Sequence, residues 1–470
     1  MRPNIRTFGA NAPCIKALLV AGMLLCIPLS SGALSAQEVL RINQDEAVAL
    51  ALRNNLGLEA SRVSAESARR ASSLAWNQFV PTVDVGGALF RLNNAPAGID
   101  LSIPGVPPMG GGYQWGLAGS VSASLSVNLA MFADMGRLRL EFERGQISYG
   151  KARAQLERDV RRLYHNALLM QEHIALLRGS LENAERQAQI AQANFNAGVA
   201  PELAVLQAQV ARETMRPVID QAESGLRLLM MQFAMFLGLP PGTEFELAPV
   251  ATGMTPLPPD TAELIRRAAA GQPDVQALRH DILVMNSVWR SGRLALLTPT
   301  VTLGWNADPA FGGNPWGDSW LDGDLWRQQQ GAFSVTVGFR LNGLLPFGVE
   351  RQGLRALEDQ IRIANIGLAQ MIRGTEIEVQ NIALTLERIK LSMEALEQTV
   401  ALAERSFYLA EQAYRAGVAD FFQVQNAELS LRHARAQLHE QQFSYLNGLL
   451  DLEYALGVPF GTLASGGSAN

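Results

Sequence analysis

Cysteine is almost absent from this chain of 470 residues, and its two cysteines, Cys14 and Cys26, both lie near the start. Residues 1–36 begin with basic residues, continue with a short apolar run and end with small residues, which is the pattern of a secretion signal. We therefore predict that 1–36 are removed on export and that the mature chain has neither disulfides nor thiolate metal sites. The alternative, a lipidated Cys26, is disfavoured because the bulky Leu25 precedes it.

Long hydrophobic runs and clusters of positive charge are also missing. After the signal, no run reaches the length of about 18 apolar residues that a membrane-spanning helix needs. Residues 1–36 contain three of the 39 basic residues and none of the 44 acidic ones, so the mature charge is 36 minus 44, or −8. We do not expect a negative chain without a basic cluster to bind nucleic acid.

Catalytic motifs are equally scarce. None of the five histidines stands in a metal or protease motif, and no nucleophile is paired with a base. We therefore predict no enzymatic activity and no cofactor. Two candidate metal sites compete with simpler interpretations, a calcium site with a hydrated loop and a soft-metal site with a helix core. Their residues are Asp318, Asp322 and Asp324 for calcium, and Met230, Met231 and Met235 for a soft metal.

The sequence after the signal repeats itself. Ala197–Ala200 and Ala416–Ala419 both read Ala-Gly-Val-Ala, and they are 219 positions apart. Leu237–Pro240 recurs as Leu456–Pro459 at the same offset. An ordered series of matches at one offset indicates a duplicated unit. The predicted boundaries are a first repeat at 37–240, a linker at 241–259, a second repeat at 260–459 and a flexible tail at 460–470.

A heptad pattern of small and apolar residues runs through a long segment of each repeat, at 156–195 and at 379–414. This period of 3.5 residues predicts left-handed coiled coils. Helices of about sixty residues would be about 90 Å long. Gly198 and Gly417 follow these segments and predict left-handed helix ends, so each repeat should turn back in a tight helical hairpin.

Apolar and polar residues alternate in four segments, at about 82–92, 114–129, 300–307 and 332–343. A period of two predicts strands with one apolar and one polar face, and tryptophans near them are typical of membrane boundaries. We predict that the polar face lines a lumen at Ser120, Ser122, Ser124, Ser126, Thr300, Thr302, Ser334 and Thr336. We predict that the apolar face contacts lipid at Trp115, Leu117, Val121, Leu125, Val301, Leu303, Trp305, Phe333, Val335, Val337 and Phe339.

A membrane sheet has to close, because an open edge leaves unpaired backbone amides in lipid. Small barrels need about eight strands, so four strands cannot close and several copies of the chain must share one barrel. The alternative is a pair of soluble hairpins on a helical body. It leaves the length and the serine-rich side of the second strand unexplained, since ordinary strands have about 5–6 residues.

These features together resemble the TolC-like outer membrane efflux proteins. The resemblance rests on the duplicated unit, on the two Ala-Gly-Val-Ala breaks, on Val205–Gln209 and Val424–Glu428 that follow them, and on the closing Leu-Gly-x-Pro. It implies an α+β membrane protein in which a long coiled-coil helical barrel continues into a β-barrel. The β-barrel would be completed by a trimer with four strands from each chain. The implied place is the outer membrane of a Gram-negative-type bacterium, with the helices in the periplasm.

The resemblance also implies a function and partners. The chain would be the channel subunit of a tripartite efflux or type I secretion system. Substrates would pass unchanged from an inner-membrane pump of the RND, ABC or MFS type, met through a periplasmic adaptor protein, and outer membrane lipid would surround the barrel. The alternative is a structural coiled-coil tether that spans the periplasm without channel activity, and such a tether needs no polar strand face.

The resemblance places the adaptor contact and the gate at the periplasmic tip, around the two glycine breaks. The residues that match are Phe195, Gly198, Val199, Ala200, Glu202, Ala204, Tyr414, Gly417, Val418, Ala419, Asp420, Gln423 and Asn426. Well-described relatives carry an arginine and aspartates here, where this chain has Ala204, Ala419, Gln423 and Asn426. We therefore hypothesise a gate that is closed by packing and by neutral hydrogen bonds.

Overall fold

The computed structural model describes residues 40–91, 115–250, 261–311 and 315–463. The predicted secretion signal, residues 251–259 of the predicted linker and residues 464–470 of the predicted tail lie outside this part of the chain. The first repeat contains β1 (Leu40–Ile42), α1 (Gln44–Asn54), α2 (Leu56–Ser73), β2 (Thr82–Arg91), β3 (Trp115–Val127), α3 (Ala130–Asn196), α4 (Glu202–Phe236) and β4 (Phe245–Leu247). The second contains α5 (Thr261–Gly271), α6 (Pro273–Leu297), β5 (Thr300–Phe311), β6 (Trp326–Gly338), α7 (Val349–Arg415) and α8 (Phe421–Leu456).

The predicted duplication is confirmed by the order of the elements. Each repeat has two shorter helices, a strand pair, a helix of 67 residues and a helix of 35 or 36 residues. At about 1.5 Å per residue, α3 and α7 are each about 100 Å long. No helix among the described residues is both long and apolar enough to cross a membrane.

Asn43 to Glu46 carry the pattern of a helix start, an Asn cap followed three residues later by Glu, and the segment that follows forms two helices rather than one. Asn43 begins α1 with a capping box, in which its side chain accepts a hydrogen bond from the Glu46 amide at 2.8 Å. Asn55 ends α1 and caps α2 through the Leu58 amide at 3.0 Å. Because Asn competes for backbone hydrogen bonds, it breaks the helix at a point that the apolar pattern does not mark.

A parallel pair formed by β1 and β4 was not predicted, and β4 lies inside the predicted linker. The hydroxyl of Tyr164 on α3 lies 3.0 Å from the carbonyl oxygen of Ile42 and 2.7 Å from that of Ala248, which it can reach as a donor. This residue is fully buried in a core cluster shared by α1, α3, α4 and both strands. The long-range contact fixes the start of the repeat against its end.

The remaining strands form one antiparallel sheet in the order β2-β3-β5-β6. Two strand predictions were wrong in extent. The strand predicted at 300–307 continues to Phe311, and the strand predicted at 332–343 runs from Trp326 to Gly338. An irregularity at Asp308/Pro309 shifts the register between β5 and β6. The two strands therefore remain paired beyond the segments in which polar and apolar residues alternate.

Candidate functional site: a polar sheet face and two helical tips

The sheet register brings all the predicted lumen residues onto one face. Directly opposed residues of neighbouring strands point to the same side of a sheet. One row is Thr82, Ser124, Gly304 and Ser334, the next is Asp84, Ser122, Asn306 and Ala332, and a third is Ser126, Thr302 and Thr336. Thr300 lies opposite Gly338, and Ser120 lies opposite Gly86. The polar face is thus continuous across both repeats.

Hydroxyls and small residues make up this polar face. The hydroxyl oxygens of Thr82 and Ser124 lie 2.9 Å apart, across β2 and β3. Glycines stand opposite hydroxyls, and a Cβ at Gly86 would lie 2.8 Å from the Ser120 hydroxyl oxygen. The glycines therefore leave space for the polar side chains of the next strand.

The predicted lipid-facing residues form the opposite face. The rows are Val83, Ala123, Trp305 and Phe333; then Leu125, Leu303 and Val335; then Val127, Val301 and Val337. Val85 is 77% exposed and Phe333 is 70% exposed, so no described residue covers these two side chains. Leu117, which we also predicted to contact lipid, is only 8% exposed, so that prediction was wrong for this residue: other residues of the chain already cover it. Phe339 lies one residue beyond the end of β6, and its predicted place within a strand was wrong.

Tryptophans gather at one end of the sheet. The Trp115 and Trp316 rings are 5.6 Å apart and edge-on, and the Trp326 ring is 5.4 Å from that of Phe311. Trp320 donates through its indole nitrogen to the Pro315 carbonyl at 2.6 Å. Trp305, which we predicted to contact lipid, lies in the middle of its strand and away from this end.

The two long hairpins end in tips of the same geometry. Gly198 and Gly417 both have a φ of 73°, the left-handed conformation predicted from the sequence. In the first tip the amides of Val199 and Ala200 donate to the Asn194 carbonyl at 2.9 and 3.2 Å, and the second tip has the equivalent bonds. Asp420 begins α8 by accepting a hydrogen bond from the Gln423 amide at 2.8 Å.

Beside the tips, the two hairpins pack against each other. Tyr414 on α7 is 5% exposed, and its ring lies 6.3 Å from that of Phe421 on α8. Both belong to one core cluster with Val205 of α4 and Ala191 of α3. Phe421 was not among the predicted tip residues, although its position directly after the Asp420 cap marks the first turn of α8.

The predicted gate residues fall into two sets around this cluster. Tyr414 is buried, and Ala204 and Ala419 are half-buried, while Gln423 and Asn426 are exposed. The other tip residues are exposed or half-buried: Phe195, Gly198, Val199, Ala200, Glu202, Gly417, Val418 and Asp420.

Two polar features of the tip region stand out. Burial raises the pKa of the Tyr414 hydroxyl, which has no hydrogen-bond partner among the described residues. Further along α8, the carboxylate of Glu428 accepts a hydrogen bond from the hydroxyl of Ser180 on α3. That second contact was not predicted, because it joins two residues that are 248 positions apart.

The two candidate metal sites receive no structural support. Among the described residues, no group of three histidine, cysteine or acidic side chains could hold a metal ion. The Asp322 carboxylate instead accepts a hydrogen bond from the Asp324 amide at 3.1 Å and begins a short 3-10 turn. Met230 packs against the first core cluster, whereas Met231 and Met235 are exposed.

A four-stranded sheet with a polar and an apolar face, joined to paired helices of about 100 Å, defines a channel-type membrane protein rather than a soluble domain. Residues 47–224 and 264–458 match the outer membrane efflux protein family, and the two matched stretches follow the two repeats. The chain therefore belongs to the outer membrane efflux protein family. We assign it as an efflux channel protein of the outer membrane that extends into the periplasm.

Solved structures with the same fold agree with this assignment. CusC is 17% identical, with a TM-score of 0.69 over 88% of this chain and 92% of that chain. The CmeC outer membrane channel of Campylobacter jejuni is 16% identical, with a TM-score of 0.71 over 88% of this chain and 85% of that chain. The outer membrane protein VceC of Vibrio cholerae is 16% identical, with a TM-score of 0.68 over 89% of this chain and 96% of that chain. No curated protein sequence matches the chain significantly.

Proposed function

We propose that three copies of this chain build one outer membrane channel, the exit duct of a tripartite efflux or type I secretion system. The observation that carries the proposal is the sheet, which has only four strands and ends in β2 and β6. Each outer edge of β2 and β6 lacks a partner among the described strands. Because unpaired amides are costly in lipid, the edges must pair with neighbouring chains, and three chains give twelve strands.

Exposed apolar stripes on the helices support the same assembly. On α7, Ile377, Leu384 and Leu391 are exposed at a spacing of seven residues, on a different face from the buried heptad seam. On α4, Leu203 and Leu206 are also exposed. A regular apolar stripe on a periplasmic helix needs a covering helix, which a neighbouring copy would supply.

The periplasmic end supports a docking role. The Val418 side chain is 84% exposed at the very tip of the second hairpin, and Val199 is exposed at the tip of the first. Exposed apolar residues at a helical tip are suited to contact with a partner protein. We propose that a periplasmic adaptor protein docks here and connects the channel to an inner-membrane pump of the RND, ABC or MFS type.

The gate in this proposal is closed by packing. The Tyr414–Phe421 cluster is apolar, and the residues beside it that face outward, Gln423 and Asn426, are neutral. No charged latch is required at these positions. Transport involves no covalent chemistry in this chain, so we propose no enzymatic role for it.

A structural tether across the periplasm is the second candidate, and ion conductance distinguishes the two. Purified full-length protein is added to planar lipid bilayers under a voltage. A channel gives discrete, uniform current steps, and the steps should become larger or more frequent when Tyr414 is changed to Ala to loosen the tip. A complete absence of current steps with folded, membrane-inserted protein would support the tether instead.

A further inference from the structure

A groove between α3 and α6 lies directly beside the sheet. α3 begins three residues after β3 ends, and α6 ends three residues before β5 begins. The groove has a volume of about 870 Å³. Sites for small molecules typically measure about 300–1,000 Å³, so this groove could hold one amphiphile.

Small and aliphatic residues form the walls of the groove. Ala133, Gly136 and Leu140 line it from α3, and Leu283 and Leu297 line it from α6. A Cβ at Gly136 would meet no atom within 4 Å. The glycine therefore leaves open space at the groove wall, which an acyl chain could enter.

Two arginines provide the charge of the groove. Arg290 and Arg293 both line it, and neither forms an ion pair with a described residue. The guanidinium carbon of Arg293 lies 5.3 Å from the centre of the Trp289 ring, and Trp289 donates through Nε1 to Glu358 Oε1 at 3.0 Å. This chain of contacts orients Arg293. No carboxylate is among the described lining residues, so the groove favours an anion.

Two exposed apolar side chains lie between the end of β3 and the groove in the sequence. Phe132 precedes Gly136 by four residues, which places both on one side of α3, and Leu129 is the residue directly before α3. Both Leu129 and Phe132 are exposed, and the Phe132 ring lies 5.4 Å from that of Phe79, just before β2. Exposed apolar side chains are thus present at the junction between the sheet and the groove-forming helix.

Measured along α6, the distance of the two arginines from the sheet is comparable to the thickness of a lipid headgroup layer. At about 1.5 Å per residue, Arg293 is about 6 Å and Arg290 about 10 Å below Leu297, the last residue of α6. The headgroup layer adds about 5–7 Å to each side of the hydrocarbon. A phosphate held by the arginines would therefore leave its acyl chains at the level of the sheet.

We propose that this groove binds one anionic phospholipid of the periplasmic leaflet. Arg290 and Arg293 hold its phosphate, and one acyl chain lies against Ala133, Gly136 and Leu297. Basic pockets between helices at a membrane surface bind anionic headgroups in this way. The inference rests on the proposed function, in which the apolar face of the sheet is turned towards lipid, and it includes that the groove opens on that same side.

Native mass spectrometry of the full-length protein in detergent tests the proposal. The protein is titrated with phosphatidylglycerol, with phosphatidylcholine, and with inorganic phosphate as the headgroup charge without acyl chains. Two variants address the groove: R290Q/R293Q removes the charge, and G136L fills the space. Their matched controls are R351Q/R355Q, two exposed arginines near the start of α7, and G150L, at an open glycine further along α3.

We expect wild-type protein to retain one phosphatidylglycerol per chain and to prefer it over phosphatidylcholine. R290Q/R293Q should weaken that binding by about tenfold or more, since two charge-assisted contacts are lost. G136L should weaken it several-fold, and both controls should bind like wild type. Equal retention of both lipids, or equal loss in the controls, overturns the proposal. Inorganic phosphate that displaces the lipid at equal concentration overturns the role of the acyl chain.

Conductance of the same preparations separates this proposal from the proposed function. If wild-type protein conducts but shows no preference among the lipids, only the lipid site is wrong. If it neither conducts nor inserts into bilayers, the orientation of the sheet is wrong and the lipid site fails with it. The oligomer mass in the same spectra shows whether each variant is assembled.

Discussion

The hydroxyl oxygens of Ser126 and Thr302 lie 3.0 Å apart, across the pair of strands that joins the first repeat to the second. Thr302 in turn lies opposite Thr336 on β6. The polar row therefore crosses from one repeat to the other, between residues that are 176 positions apart. Neither repeat could form this face alone, since each contributes only two of the four strands.

The polar face should be reachable by water-soluble reagents and the apolar face should not. Because the only cysteines lie at positions 14 and 26, Ser124→Cys and Leu125→Cys each place a single thiol in the mature protein. We expect a charged, membrane-impermeant thiol reagent to modify Ser124→Cys in bilayers and to reduce its current. Leu125→Cys, one residue away on the other face, should stay unmodified. Equal reaction at both sites would contradict the assignment of the two faces.

The left-handed glycine at the second tip should not tolerate a side chain. Gly417→Ala places a Cβ at a φ of 73°, which costs about 1–2 kcal/mol. Hydrogen exchange of the amides at 413–419 should become faster. The control is Gly179→Ala, inside α3, where a Cβ meets no atom within 4 Å. Alanine should stabilise the helix there by about 0.5–1 kcal/mol, and faster exchange around 179 would contradict this explanation.

Removing the hydroxyl of Tyr414 and that of Tyr164 should have opposite effects on the stability of the protein. Tyr414→Phe should be neutral or stabilise the protein by about 1 kcal/mol, because the buried hydroxyl has no partner among the described residues. Tyr164→Phe should destabilise it by about 1–2 kcal/mol, since the Ala248 carbonyl loses the Tyr164 hydroxyl as a donor. The Ile42 carbonyl still accepts a hydrogen bond from the Ala248 amide. Thermal unfolding in detergent measures both. A loss of stability in Tyr414→Phe equal to that in Tyr164→Phe would show a partner for the Tyr414 hydroxyl.

Stability should fall on mild acidification because of His165. Burial lowers the pKa of this imidazole below its ordinary 6.5, while a hydrogen bond to Asn447 raises it and the charge of Arg161 lowers it. Its ring nitrogens lie 3.1 Å from Gln44 Nε2 and 2.9 Å from Asn447 Oδ1. The unfolded chain takes up a proton near pH 6.5 and the folded chain only below that. Stability attributable to His165 is thus lost as pH falls from about 6.5 towards the folded pKa.

The comparison of wild type with His165→Gln isolates this effect. Thermal unfolding of both proteins is measured between about pH 7.5 and pH 5. Other buried groups respond alike in the two proteins, so the difference in unfolding temperature should shrink on acidification. If the difference in unfolding temperature stays constant across this pH range, the pKa of His165 is not lowered in the folded protein.

The long periodic elements could be predicted from the sequence, and their ends could not. The heptads of α3 and α7 and the alternation of β3 extend over many residues, so single exceptions do not hide them. β6 was placed too late because its first part reads Arg-Gln-Gln-Gln at 327–330, which has no alternation of polar and apolar residues. The pairing of this part with β5 depends on the irregularity at Pro309, which alternation does not reveal.

Very short strands and contacts between distant residues could not be predicted from the sequence either. β1 and β4 have three residues each, too few for a pattern, and they pair across 205 positions. In the candidate site, the glycine tips followed from local backbone preference, and the two faces of the sheet followed from the alternation. The Tyr414–Phe421 contact and the lipid-sized groove arise from packing between separate helices, which a single sequence does not encode as a local pattern.

The mass of the detergent-solubilised protein tests the central claim most directly, namely that one chain supplies too few strands to close a barrel. Native mass spectrometry should give a single species of three chains that persists on dilution. A chemical cross-linker should produce a ladder that stops at three. A protein that is monomeric in detergent, and that stays in solution when the detergent is removed, would contradict the account.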